Sequence, residues 1–150
     1  SSAACLREAC AEDGVGSVRH SPLLMKTKLK LSILPNEYTI HRFSPKSDIP
    51  ALTGNFISIT RTDDELSIVC DVQLSLDSDV SEAGWVCIKV LGPLDFGLTG
   101  ILAKIASVLA EAEISIFAIS TYDTDYILVK NNTLLRSKKA LEQVGYTFEK

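Results

Sequence analysis

The sequence holds little from which a metal site or a catalytic centre could be built. Its two histidines are His20 and His41, and its four cysteines, Cys5, Cys10, Cys70 and Cys87, include no Cys-x-x-Cys pair. Zinc sites draw on such ligands at short, regular spacings, so no metal and no cofactor is expected. There is no Gly-x-Ser-x-Gly, no Walker lysine loop and no histidine set near a nucleophile, which removes the common nucleophilic and nucleotide-cleaving chemistries. Positive charge is also in short supply, with 15 Lys and Arg against 19 Asp and Glu and a net charge of -4. Nucleic acid and anionic lipid both reward clustered Lys and Arg, so neither is expected as a partner. The longest apolar run, Ile101 to Ala110, contains Lys104 and falls well short of the roughly 20 residues of a membrane span.

What is present suits a soluble globular protein. The 150 residues are 46% hydrophobic, enough for one ordinary core or for two small units of about 60 to 70 residues that lean on each other. Cys70 and Cys87 sit among Ile68-Val69 and Val86-Ile88, where a thiol behaves as a small apolar group. Without a clear secretory pattern, reduced thiols in the cytoplasm are expected. Residues 1–24 are rich in Ala, Ser, Gly and mixed charge and precede the single methionine, Met25. They read as a flexible arm, a leader, or sequence upstream of a natural start. Glu8, Glu12 and Asp13 against Arg7 and Arg19 argue against a mitochondrial presequence.

Residues 25–76 carry strand signals. Lys28 to Leu34 alternates, with Leu29, Leu31 and Ile33 on one face; Pro35-Asn36 is expected to turn the chain into a second strand over Glu37 to Phe43. The proline-rich stretch Ser44 to Pro50 allows a single turn. Phe56 to Thr60 and Leu66 to Cys70 flank Thr62-Asp63-Asp64-Glu65, a hairpin pattern. Residues 77–83 are polar and read as a linker.

Residues 84–150 read as one β-α-β-β-α-β unit. Trp85 to Leu91 is a nearly unbroken apolar strand. The turn Gly92 to Ile101, with its glycines and a proline between strand and helix, has the form of a ligand-binding loop: backbone N–H groups can face an anion, and the helix start adds partial positive charge. Leu98, Ile101, Leu102, Ile105, Val108, Leu109 and Ala112 follow at helical spacing. A strand over Ile114 to Ser120, a turn Thr121 to Thr124 and a returning strand Asp125 to Lys130 come next. Asn131-Asn132-Thr133 is expected to cap a second helix running through Val144 and stopping at Gly145. Tyr146-Thr147-Phe148 closes the sheet as an edge strand.

Pro93 to Ala103, followed by Ala112 to Val129 with Ile114-Ser115-Ile116-Phe117 and Thr121-Tyr122-Asp123-Thr124-Asp125, resembles the ACT domain of the aspartokinase-associated type. It is similar to the domain of small bacterial two-module ACT proteins and of the cytosolic arginine sensor family. The resemblance covers 84–150; the first half resembles, by layout, the degenerate module that precedes it. The implied fold is α+β, two ferredoxin-like ACT-type βαββαβ modules, the first with degenerate helices, joined by 77–83.

The resemblance implies a non-catalytic regulator that binds a free amino acid at an ACT module or dimer interface. Its homodimer would pair through ACT modules, and a regulated enzyme or signalling protein would read the result. Carried over residue by residue, the loop supplies Asp95, Leu98, Thr99, Gly100 and Ile101, and the facing strand and turn supply Ser120, Thr121, Tyr122 and Asp125. Backbone N–H groups at a helix start suit an α-carboxylate, and an aspartate suits an ammonium. Asp95 reads equally as a helix cap, Gly97 and Gly100 as turn residues, and Asp123 as a turn residue. Trp85 reads as core or interface packing and Arg42 as a surface charge. The positions matching Leu98 and Thr99 differ from the arginine sensor, so arginine specificity does not carry over. Acylphosphatase, a small ferredoxin-like enzyme, needs an arginine in its phosphate loop, and 92–101 has no basic residue. A second class of function is a ligand-free ACT-like module that dimerises through its sheet edges.

Overall fold

The computed structural model describes residues 29–91 and 99–149. The arm expected over 1–24 lies outside them, as do Asp95, Gly97 and Leu98. Strand β1 (Lys30–Phe43) is followed by β2 (Ser58–Arg61), β3 (Leu66–Asp71), β4 (Val80–Val90), helix α1 (Ile101–Glu111), β5 (Ile116–Ser120) and β6 (Asp125–Lys130). A 3-10 turn (Asn131–Thr133), helix α2 (Leu134–Gln143) and β7 (Thr147–Phe148) complete the order. All seven strands belong to one sheet, ordered β2-β3-β1-β4-β6-β5, with β7 attached to β1. Apart from the parallel β1–β7 pair, its ladders are antiparallel. The fold is thus mixed α and β, an antiparallel sheet with few helices.

Pro35-Asn36 does not turn the chain. β1 runs straight through, and the pair sits in a bulge: Ile33 faces Ile88 and Glu37 faces Val86, so β1 spends four steps where β4 spends two. A two-residue hairpin of the favoured type needs left-handed backbone at both central residues, which proline cannot adopt, whereas a bulge tolerates a residue without an N–H. Asn36 instead donates to Asp71 Oδ2 at 2.8 Å. A second bulge lies one pair further on, where Tyr38 faces Trp85 and Ile40 faces Glu82. Here the extra residue is on β4, at Gly84, whose φ is +84°. Val80 to Ala83, expected in the linker, therefore open β4.

These bulges bear on the expected modules. β1 pairs at its start with Ile88 to Val90 and at its end with both β3 and the start of β4, so it crosses both halves. β7, expected at the edge of the C-terminal unit, lies beside Lys30 and Leu31, with β1 standing between it and β4. The hairpin expected across 62–65 forms, with Thr62 Oγ1 accepting from the N–H groups of Asp64 and Glu65, each at 3.1 Å.

One face of the sheet carries both helices. Ile105 and Leu109 of α1 and Leu141 of α2 are fully buried with Leu31, Ile88, Val90 and Ile127, each such side chain contributing about 1.5–3 kcal/mol by its burial. Asn131 and Asn132 do not cap α2. They form the 3-10 turn, and Asn131 reaches across to Glu37 Oε2 at 3.1 Å. On the opposite face Tyr38, Trp85, Cys87 and Leu128 are covered by Phe56, whose ring lies 5.6 Å from Tyr38 and 4.7 Å from Tyr126. Burial pushes the Cys87 thiol up to about 12, so it stays protonated and inert, as its apolar neighbours in sequence suggest. No described helix is long and apolar enough to cross a membrane.

His41 is buried on β1, with Nδ1 2.8 Å from Ser78 Oγ and its ring stacked at 6.2 Å on Phe43. Its Nε2 meets no hydrogen-bonding side chain or backbone group among the described residues. Burial holds the imidazole below its ordinary value of 6.5, because a charged ring here would need an acceptor that the site does not offer. Below about pH 6.5 the unfolded chain takes up a proton that the folded chain resists, so stability falls as the pH drops through that range. Urea midpoints should decline from pH 7.5 to 5.5 in the wild type and decline less in His41→Phe; parallel curves would show that His41 is not responsible. Replacing Gly84 tests the second bulge. A Cβ there would meet nothing within 4 Å, so Gly84→Ala should cost only the left-handed backbone penalty of about 1–2 kcal/mol, read from the shift in denaturation midpoint.

Candidate functional site

Helix α1 begins at the sheet end where β4 finishes. Its last turn leads through Ile114 into the start of β5, and its buried face, Ile105, Ala106 and Leu109, lies along the strands. The first turn must then sit near the far end of β5, at Ser120. Antiparallel pairing brings the start of β6 to the same end, with Ser120 facing Asp125 and Lys89 facing Tyr126. The end of β4, the start of α1 and the β5–β6 turn thus form one cluster.

The helix N-cap is Gly100, with φ 79° and ψ 5°. A left-handed N-cap suits glycine, which has no Cβ to strain, and it leaves no side chain of its own to cap the N-terminus. No acidic residue occupies the first turn, so the partial positive charge there is not offset from within the helix. Thr99 and Gly100 are exposed, while Ile101 is half-buried and packs against the helix-side core. Ile101 can therefore meet a ligand through its backbone rather than its side chain. Asp95 and Leu98 lie outside the described residues.

Across the cluster, Ser120 Oγ donates to Asp125 Oδ1 at 2.6 Å. The half-buried Asp125 carboxylate is thus partnered, which answers the cost of placing it among apolar strand residues. Thr121 closes the turn on Thr124: its N–H and Oγ1 both reach the Thr124 carbonyl, at 2.8 and 2.9 Å. Tyr122 is exposed at the tip, at 82%. The sequence reading missed Thr124 as anything but a turn residue. It is buried, and its hydroxyl donates to the Val90 carbonyl, tying the turn to the last residue of β4. The two residues are 34 apart in the chain, so no local spacing could reveal the bond.

Chemically the cluster sets a helix N-terminus and a carboxylate at one end of the sheet, the polarity that a zwitterion requires. Among the described residues no three His, Cys, Asp or Glu side chains gather as a metal site.

An ACT-domain family model matches residues 80–143, and a model describing an N-terminal domain matches 36–74. The crystal structure of protein Atu0741 from Agobacterium tumefaciens is 42% identical, with a TM-score of 0.76 over 81% of this chain and 92% of that one. Two animal proteins match 53% of this chain: the human protein CASTOR3P, 33% identical over 92 residues, and the cytosolic arginine sensor for mTORC1 subunit 1 of Bos taurus, 31% identical over 90. The chain spans 56% of the first and 27% of the second. The fold is shared with aspartate kinase of Clostridium acetobutylicum at a TM-score of 0.58 and 12% identity, over 77% of this chain and 34% of that one. The ACT match runs from β4 through α2 and so takes in the whole described cluster; the chain belongs to the ACT-domain proteins.

Proposed function

We propose that this chain is a non-catalytic regulator that binds a free amino acid between the start of α1 and the β5–β6 turn. The α-carboxylate would take the backbone N–H groups around Thr99, Gly100 and Ile101, with Leu98 and Asp95 completing the loop. The ammonium would take Asp125, with Ser120, Thr121 and Tyr122 around it. Ligand would lie at an interface between ACT modules, in the chain or in a homodimer. It would act by favouring one arrangement, which a cytoplasmic enzyme or signalling partner then reads; that requires different affinities for the two arrangements. In this reading residues 25–76 and 84–150 are the two modules, 77–83 joins them, and 1–24 is an arm. The observation that carries the proposal is the Thr124–Val90 bond, which holds the carboxylate-bearing turn at the strand end that feeds the loop. The ACT match and the sensor named for arginine among the relatives support the same class of ligand.

Calorimetric titration of ligand-free protein with the twenty amino acids should give saturable heat with one or a few. Asp125→Ala should then weaken binding by about 1.5–3 kcal/mol, the worth of a charged hydrogen bond, with its urea midpoint little changed. Silence across the panel would instead favour a ligand-free dimerisation module. Thr124→Val removes the buried hydroxyl and leaves the Val90 carbonyl without it, at a cost of about 1–3 kcal/mol in stability. It should also weaken the same ligand, since the turn loses its anchor; unchanged affinity would show that the anchor does not position Asp125.

A further inference from the structure

At the other end of β4, roughly 30 Å from Val90 at the rise of an extended strand, the sheet face that bears no helix holds a groove of about 510 Å³, within the usual size of a small-molecule site. Its lining includes Ile40, Arg42, Glu65, Val80, Glu82 and Phe117. The register explains how they come together. Ile40 faces Glu82, and Arg42 faces Val80; the bulge at Gly84 keeps Glu82 and Val80 on the face of Trp85, since regular alternation over 80–85 would turn both to the opposite side.

The charges in this groove are not equivalent. Glu82 is already offset by Lys130 at 3.7 Å. Arg42 spends one N–H on the Asp64 carbonyl at 3.1 Å, which orients the guanidinium and leaves further donors. The Glu65 carboxylate has no ion pair among the described residues, and its backbone is held by both groups of Thr62, with Thr62 N–H donating to its carbonyl at 2.9 Å. Apolar surfaces lie on the far side of Arg42 from Glu65, since β1 stands between β3 and β4. Val80 is 61% exposed, Ile40 is half-buried, and Phe117 rests against Trp85 at 6.4 Å.

From a guanidinium edge and a carboxylate that no described residue pairs, together with apolar lining, we infer that the groove is a second ligand site, for a free α-amino acid with an apolar side chain. The α-carboxylate pairs with Arg42, where a planar fork of donors suits it. The ammonium pairs with Glu65, and the side chain lies on Ile40, Val80 and Phe117. The site shares no residue with the cluster around Asp125 and does not depend on it.

The test is a two-dimensional amide NMR titration of the full chain with L-phenylalanine. Shifts should appear at residues 40–42, 65–67, 80–82 and 117 and saturate in the millimolar range. Arg42→Ala, a surface change whose spectrum reports its folding directly, should weaken them about tenfold. N-acetyl-L-phenylalanine, which lacks the ammonium, and phenethylamine, which lacks the carboxylate, should each bind more weakly than the parent. Asp125→Ala should leave these shifts intact, which separates failure here from failure of the proposed regulatory site. Shifts confined to 99–101 and 120–125, equal binding by phenethylamine, or no shifts at all would overturn the assignment.

Discussion

The structure depends on the pairing of β1 with β4. These are the two longest strands, Lys30–Phe43 and Val80–Val90, and between them they carry contacts to almost every other part of the sheet. β4 holds β6, and through it β5. β1 holds β3, and through it β2, and also β7. Removing this ladder would leave two small sheets, each with a newly exposed edge, and small sheets of that kind are marginal alone. Burial reflects the dependence: Leu31 and Ile88 on the helix side and Tyr38 and Trp85 on the other are all buried.

Two bulges regulate this central ladder. The one around Pro35 adds an even number of residues to β1, so the alternation of faces survives: Ile33 joins the helix-side core, and Tyr38 joins the aromatic cluster opposite. The one at Gly84 adds a single residue to β4, which rephases Val80 to Glu82 relative to the rest of the strand. The side chains that β4 presents at its two ends are therefore set independently. Val90 serves the helix core and the Thr124 anchor, while Val80 and Glu82 line the groove.

The proposed regulatory function requires that a local event be transmitted. β4 is one continuous element running from the cluster at Val90 to the groove at Val80, and Lys130 links its early half to β6 through Glu82, the Ala83 carbonyl at 2.9 Å and the Trp85 ring at 4.8 Å. The two ends are joined by one covalently continuous strand roughly 30 Å long. The buried His41 sits beside that path, opposite Ser81.

Much of the C-terminal half was legible in the sequence because its signals are local. The apolar stripe Ile101, Leu102, Ile105, Val108 and Leu109 of α1 and the turn over Thr121 to Thr124 between β5 and β6 each name an element within a few positions. The first half was less legible. Pro35-Asn36 reads as a turn when only its neighbours are considered, yet the cross-strand partners Ile88, Val86 and Asp71 hold it in a strand. The same limit hid Thr124, whose partner is Val90. The sequence by itself determined the strands and helices between Trp85 and Gln143 and the hairpin across 62–65, because their signals are local. Tertiary structure alone decided that β1 is one strand, that β7 lies beside it, and which face Val80 and Glu82 present, because these follow from hydrogen-bond register between segments far apart in the chain.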